Sequence, residues 1–160
     1  MDFNKPYLLT PEGVNRLQNE LTHLKTTKRE EVAARLERAL DDGQDDEFVD
    51  NAELESARND QSFIEGRIIE IDYMLKNHEL IEDVSDRSKV RIGSHVTVME
   101  VGFDEKERYH LVGAAEANPA EGRISNESPL GSALLGAKLK QTVQFEAPGG
   151  SIEFKVIKIE

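Results

Sequence analysis

The sequence predicts an α+β chain. An N-terminal, long antiparallel coiled-coil hairpin occupies residues 1–82, and a C-terminal domain of antiparallel strands with one short helix occupies 83–160. Three observations carry this reading. Apolar residues recur every three or four positions through two long stretches of the first half; an acidic segment separates those stretches; and from about Val90 the apolar period falls to two.

The first helix has a legible start. In Thr10-Pro11-Glu12 a hydroxyl stands at the cap, proline at the first helical position where no amide bond is lost, and a carboxylate at the positive end of the dipole. Val14, Leu17, Leu21 and Leu24 follow, and after Lys28 the stripe resumes with Val32, Leu36 and Ala39 or Leu40, giving one helix to about residue 41. The second stripe, Leu54, Ala57, Gln61, Ile64, Ile68, Ile71, Leu75 and His78, keeps coiled-coil spacing. Both stripes are narrow, so each helix needs a partner, and the short segment between them favours an antiparallel hairpin. Lys28 and Gln61 interrupt the stripes and could form one polar layer that fixes register. At roughly 1.5 Å per residue, helices of about 30 residues place the tip about 45 Å from the base.

Strand alternation follows in Val96-Thr97-Val98, Tyr109 to Val112, Thr142 to Phe145 and Ile152 to Ile157. Ser128-Pro129 opens a short helix through Leu135, Pro148-Gly149-Gly150 reads as a hairpin turn, and Asp83 to Lys89 as a linker.

Among 160 residues, 38% are hydrophobic, enough for modest cores. No cysteine is present, which excludes disulfides, thiolate nucleophiles and cysteine-ligated zinc. No signal peptide or membrane span is expected, so the reading is a cytoplasmic protein with no membrane partner. Twenty basic residues against 32 acidic ones give a net charge of -12, which argues against nucleic-acid affinity driven by overall charge. Eight acids and no base lie between Asp41 and Glu55: Asp41, Asp42, Asp45, Asp46, Glu47, Asp50, Glu53 and Glu55. Removing those eight charges from -12 leaves -4 for the rest of the chain.

No nucleophile, base and orienter stand together, there is no glycine-rich phosphate loop, and His23, His78, His95 and His110 show no metal-ligand spacing. An enzyme with its own catalytic residues is not expected. The acidic tip is the concentrated chemical feature: carboxylate oxygens are hard ligands suited to Mg²⁺, and crowded acids repel until a cation relieves them. Asp42, Gln44, Asp46, Phe48, Asp50 and Glu53 also fall in an EF-hand-like calcium register, but Glu47 occupies the position that needs glycine. Lys25, Lys28, Arg29, Arg35, Arg38, Arg58 and Arg67 read either as a solvated face or as a track for RNA, with Lys28, Arg29, Arg58 and Arg67 the candidates for the latter.

These residues resemble the bacterial Gre factors, the GreA/GreB family of transcript cleavage factors, over nearly the whole chain. The likeness rests on Leu9-Thr10-Pro11-Glu12-Gly13, Asn51-Ala52-Glu53, Glu65-Gly66-Arg67-Ile68, Leu111-Val112-Gly113, Ser128-Pro129-Leu130-Gly131, Ala133 to Gly136 and Pro148-Gly149-Gly150. It implies an FKBP-like second domain that docks on RNA polymerase at the rim of the secondary channel, with Ser128, Pro129, Leu130 and Gly131 as docking candidates. It further implies a coil that enters the channel, and tip carboxylates that help hold the polymerase's second Mg²⁺ while the polymerase cleaves the 3′ end of backtracked nascent RNA. No tightly bound cofactor is implied, DNA binding is expected, and a hairpin that closes on itself suits a monomer. The family's tip reads Gly-Asp-Leu-x-Glu-Asn-Ala-Glu; here Gly43 to Glu53 is three residues longer. Glu47 and Asp50 take the positions of the two acids, with Asp45 and Asp46 extra. Homologues with altered acidic tips occupy the channel and inhibit polymerase, so inhibition is the alternative effect. An FKBP-like fold also raises prolyl isomerisation, against which stand the absence of tryptophan and the scarcity of aromatics to line a proline pocket.

Overall fold

The computed structural model describes residues 6–42, 52–81 and 87–160. Two compact units emerge: Val14–Lys76, and the described residues up to Gly13 together with those from Asn77 onward. The expected boundary between 82 and 83 lies in the second unit, and residues 82–86 of the expected linker are outside the described residues.

The helical unit takes its form from the two stripes. Helix α1 (Pro11–His23) passes through a five-residue π turn, Leu24–Lys28, into α2 (Arg29–Asp42), and α3 spans Ala52–Lys76. Val32, Ile64 and Ile68 form a buried centre, with Leu21, Leu24 and Leu36 packed against it. Ala39 is buried and Leu40 half exposed, which decides between the two for the end of the first stripe. Cross-helix pairs fix direction. Glu20 meets Arg67, Arg29 meets Glu65, and Arg35 meets Asp60 and Glu53, so residue numbers climb on one arm as they fall on the other. The arms are antiparallel.

The π turn has a cause in the sequence. Leu24, Lys28, Val32 and Leu36 are spaced by four, and three such steps exceed three helical turns of 3.6 residues by about one residue. A wider turn absorbs the surplus, with the Arg29 N–H reaching the Leu24 carbonyl. Thr22 and Thr26 loosen the same region by donating their hydroxyls to the carbonyls of Gln18 (2.9 Å) and Thr22 (2.8 Å). The expected Lys28–Gln61 layer does not form: Lys28 Nζ turns to Glu31 at 2.6 Å and Gln61 is exposed.

In the second unit, β1 (Tyr7–Leu9) pairs in parallel with β2 (His78–Leu80). His78, assigned by its spacing to the second helix, therefore belongs to a strand; α3 stops at Lys76. The main sheet comprises β3 (His95–Glu100), β4 (Lys106–Val112), β5 (Arg123–Ser125), β6 (Thr142–Ala147) and β7 (Gly150–Ile159), in the order β5-β4-β3-β7-β6. Its pairs are antiparallel except β4 with β5, so the sheet is mixed rather than wholly antiparallel. The connection from Val112 to Arg123 makes that parallel pair possible, because it turns twice through short 3₁₀ segments at Ala114–Glu116 and Pro119–Glu121 before re-entering the sheet. Val96, Val98, Leu111, Val143, Phe154 and Val156 face one core with Leu134 of α4 (Pro129–Leu134). Each such side chain, fully buried, contributes about 1.5–3 kcal/mol.

One buried carboxylate ties the start of α1 into this unit. Glu116, 3% exposed, accepts hydrogen bonds from the Thr10 N–H (2.6 Å) and the Thr10 hydroxyl (2.9 Å), and the hydroxyl in turn accepts from the Gly13 N–H (3.0 Å). The cap residue thus serves both the helix and the buried acid. Two glycines make room: a Cβ at Gly13 would strike the Glu116 carboxylate, and one at Gly113 would strike the Leu8 carbonyl.

Thr10→Val removes the cap and one of the donors to a buried carboxylate, and is expected to cost about 2–4 kcal/mol in urea unfolding; a loss no greater than that of a surface change would show that Glu116 does not depend on it. Deleting Thr27 sets Leu24 and Val32 one heptad apart and is expected to leave the thermal midpoint within a few degrees. Deleting Ala33, beyond the π turn, rotates Leu36 and Ala39 by about 100° off their face and is expected to lower the midpoint sharply. Equal effects of the two deletions would dismiss the surplus-residue account.

Candidate functional site

The four tip carboxylates singled out from the sequence, Asp45, Asp46, Glu47 and Asp50, lie outside the described residues. The elements on either side of them are described. α2 ends at Asp42, and α3 opens with Glu53 and Glu55 in its first turn, where carboxylates face the positive end of the helix dipole. Arg35 Nε and Nη2 reach Glu53 at 3.0 and 2.8 Å, and Arg35 Nη1 reaches Asp60 at 2.5 Å. One acid of the cluster is thereby bound to the opposite arm.

Three of the four basic candidates are engaged within the helical unit. Lys28 binds Glu31, Arg29 forks onto both oxygens of Glu65 at 2.6 and 2.5 Å, and Arg67 holds Glu20 (2.7 and 3.2 Å) and Glu70 (2.7 Å). The Glu65 hydrogen bonds raise the Arg29 guanidinium above its ordinary value and Arg29 lowers Glu65; hydrogen bonding to Glu20 raises Arg67 strongly. Exposed pairs of this kind add little stability singly, but planar forks across two helices select one register. Arg58, the fourth candidate, has no carboxylate partner among the described residues. The antiparallel register that aligns Arg29 with Glu65 and Arg35 with Asp60 brings Arg38 level with it, and among the described residues Arg38 donates to its own helix, at the Ala34 carbonyl (3.1 Å).

At the docking candidates the side chains have structural work of their own. Ser128 caps α4, accepting from the Gly131 N–H at 3.1 Å and donating to the Ser125 carbonyl at 2.7 Å. Leu130 packs on the core, and a Cβ at Gly131 would run into the Ser125 carbonyl. Pro129 alone of the four is exposed.

The register of β3 and β4 sets His95 opposite His110, with the rings stacked at 4.0 Å, a pairing that neither residue's sequence position announces. Burial lowers the His110 pKa, nearby His95 lowers it further, and Glu116, Glu12 and a hydrogen bond with the Gly93 backbone oppose the shift. Among the described residues no group of three or more His, Asp or Glu is placed to hold a metal ion, and no helix is long and apolar enough to cross a membrane.

Paired helical arms leading to an acidic segment, with a separate sheet unit, define a two-unit build that both halves of the chain share with known proteins. Residues 7–80 match the family model "Transcription elongation factor, N-terminal" and residues 85–160 match "Transcription elongation factor, GreA/GreB, C-term". The class is that of the transcription elongation factors. The chain belongs to the GreA/GreB family. It is 44% identical over 160 residues to the transcription elongation factor GreA of Acetivibrio thermocellus, covering 99% of each chain. It is 45% identical over 157 residues to that of Syntrophomonas wolfei, covering 98% of this chain and 97% of the other. Among solved structures, GreA factor homolog 1 of Thermus thermophilus aligns over 98% of this chain and 99% of its own at 26% identity, with a TM-score of 0.44, too low to argue from superposition.

A depressed His110 pKa means that the folded state prefers the neutral ring, so its contribution to stability is complete above the unfolded value of about 6.5 and is lost as pH falls through that value to the folded one. Proton NMR titration is expected to place His110 below about 6.5, and His95→Ala to move it upward part of the way, since burial remains. A midpoint at or above the ordinary value would contradict the stacked, half-buried geometry.

Proposed function

We propose that this protein binds RNA polymerase at its secondary channel and stimulates cleavage of the 3′ end of backtracked nascent RNA, rescuing arrested complexes. The observation that carries the reading is the concentration of eight acids between Asp41 and Glu55, set between two helices whose own charges are largely paired. Carboxylates suit Mg²⁺ because their oxygens are hard ligands, and the donor set at the tip, Glu47 and Asp50 with Asp45 and Asp46 as substitutes, has that chemistry. When bound, the polymerase's second Mg²⁺ activates water and steadies charge on the phosphate. The factor supplies ligands and has no hydrolytic site of its own; the polymerase carries out the hydrolysis, and no cofactor is held in the free protein.

Arg58, with Arg38 level with it, is the part of the arms with cationic charge to spare for the phosphates of the extruded RNA. Pro129 and its neighbours offer the docking surface on the rim. DNA enters this reading only through the polymerase that carries it, and the protein works as a monomer in the cytoplasm.

The deciding measurement is RNA cleavage in a purified, backtracked elongation complex with Mg²⁺. Wild type is expected to shorten the transcript, and Glu47→Gln with Asp50→Asn to abolish the effect while polymerase binding persists. Slowed elongation without cleavage would overturn the reading and make the protein a channel-occupying inhibitor.

A further inference from the structure

Two stretches of the second unit hold bases and no acid. Residues 87–99 contain three Lys or Arg, and residues 128–145 contain two, in a chain whose 160 residues include 32 acids. The fold joins these stretches. The Val90 N–H donates to the Ala137 carbonyl and the Gly136 N–H to the Val90 carbonyl, each at 2.8 Å, and Lys89 stands opposite Lys138 in an antiparallel bridge. Two features of this place are unfavourable for folding alone. Like charges directly across a bridge repel, yet Lys89 and Lys138 are both exposed, and neither has a carboxylate partner among the described residues. Beyond the bridge, the Gln141 N–H closes a four-residue turn on the Lys138 carbonyl (3.0 Å), and Lys140, at the third position, has a φ of 66°. Glycine fills such a position without strain. Among the described residues Lys140 is the one non-glycine in that region of backbone space, and strain of this kind persists where a side chain serves a task other than stability.

The same turn exposes Leu139 to 50%, and Leu135, four residues before it, is 45% exposed. Phosphate alone would use the lysines and leave the leucines without a role; a protein segment that is acidic and also apolar uses both. Docking needs such a surface, because Pro129 alone of the four docking candidates is exposed. We propose that Lys89, Lys138 and Lys140, with Leu135 and Leu139, receive an acidic segment of the polymerase surface that carries apolar side chains. The proposal rests on the reading that this protein docks on polymerase, and it names what the docking surface recognises. Opposite charge brings the two surfaces together, so affinity falls as salt rises.

Binding of the full chain to purified polymerase, measured beside cleavage of a backtracked transcript, tests it. Lys138→Glu with Lys140→Glu is expected to weaken binding at least about tenfold, or roughly 1.4 kcal/mol, and to flatten its salt dependence. Cleavage then falls at limiting factor and recovers at saturating factor. Lys140→Gly separates recognition from folding: the thermal midpoint does not fall, because the left-handed position is relieved, while binding still weakens severalfold. Double and glycine variants that bind polymerase as well as wild type would overturn this proposal and leave the proposed function standing. A wild type that does not bind polymerase would overturn both. Variants that lose affinity for RNA and keep it for polymerase would assign the patch to nucleic acid and overturn the proposal as well. Binding decides the matter even where no cleavage is seen, so the two readings fail separately.

Discussion

A carboxylate with 3% of its surface exposed is tolerable only where donors replace the water it has lost, and much of the second unit's connectivity follows from meeting that demand at Glu116. Thr10 supplies both its backbone and its hydroxyl, across 106 positions of sequence. Because that hydroxyl also caps α1, the first turn of the helix cannot form in its native place without the acid, nor the acid be satisfied without the cap. The consequences spread outward. The 3₁₀ turn that presents Glu116 belongs to the connection that returns β5 parallel to β4, and Gly113 must lack a side chain so that Leu8 of β1 can pass beside it.

The helical unit is specified differently. Its buried centre is small, and single exposed ion pairs contribute little, so register rather than strength is what Arg29–Glu65, Arg67–Glu20 and Arg35–Asp60 supply. Slipping one arm by a turn would break all three pairs at once. The π turn belongs to the same logic: a surplus residue in the first arm would otherwise carry Val32 and Leu36 out of phase with Leu21 and Leu24, and widening one turn keeps both halves facing Ile64 and Ile68.

Elements with a strong local signal were legible in the sequence. Thr10-Pro11 and Ser128-Pro129 announce their helices through cap chemistry, and β3, β4, β6 and β7 alternate as half-buried strands do. The unrecognised strands are short: β1, β2 and β5 have three residues each, too few to display a period, and their existence depends on distant partners. His78 continues a helical stripe by spacing yet lies in β2, where pairing with Tyr7 outweighs local periodicity. The four-residue spacing from Leu24 to Leu36 did contain the π turn, visible once drift against 3.6 is counted. Glu116-Ala117 belongs to the family likeness, but nothing local marks Glu116 as a buried acid, since its partner is at position 10. The tip acids are read from composition and spacing and lie outside the described residues, and the stacked His95 and His110 emerge only through the register of two strands.

Charge in this protein is distributed so that its two signs do different work. Glu20, Glu31, Asp60, Glu65, Glu70 and Asp72 are each held by a basic side chain within the helical unit. Of the acids of the segment whose side chains are described, Asp41, Glu53 and Glu55, Glu53 has a basic partner in Arg35. An arm so neutralised along its length has little general attraction for phosphate, and a tip so charged repels it. On the proposed reading, then, nucleic acid cannot be what brings the factor to its place. The affinity must come from protein docking, and the repulsion among the tip carboxylates becomes useful once a divalent cation is there to relieve it. On that same reading, crowding that is unfavourable in the free protein favours the metal in the complex, and the factor acts where a partner already holds the cation.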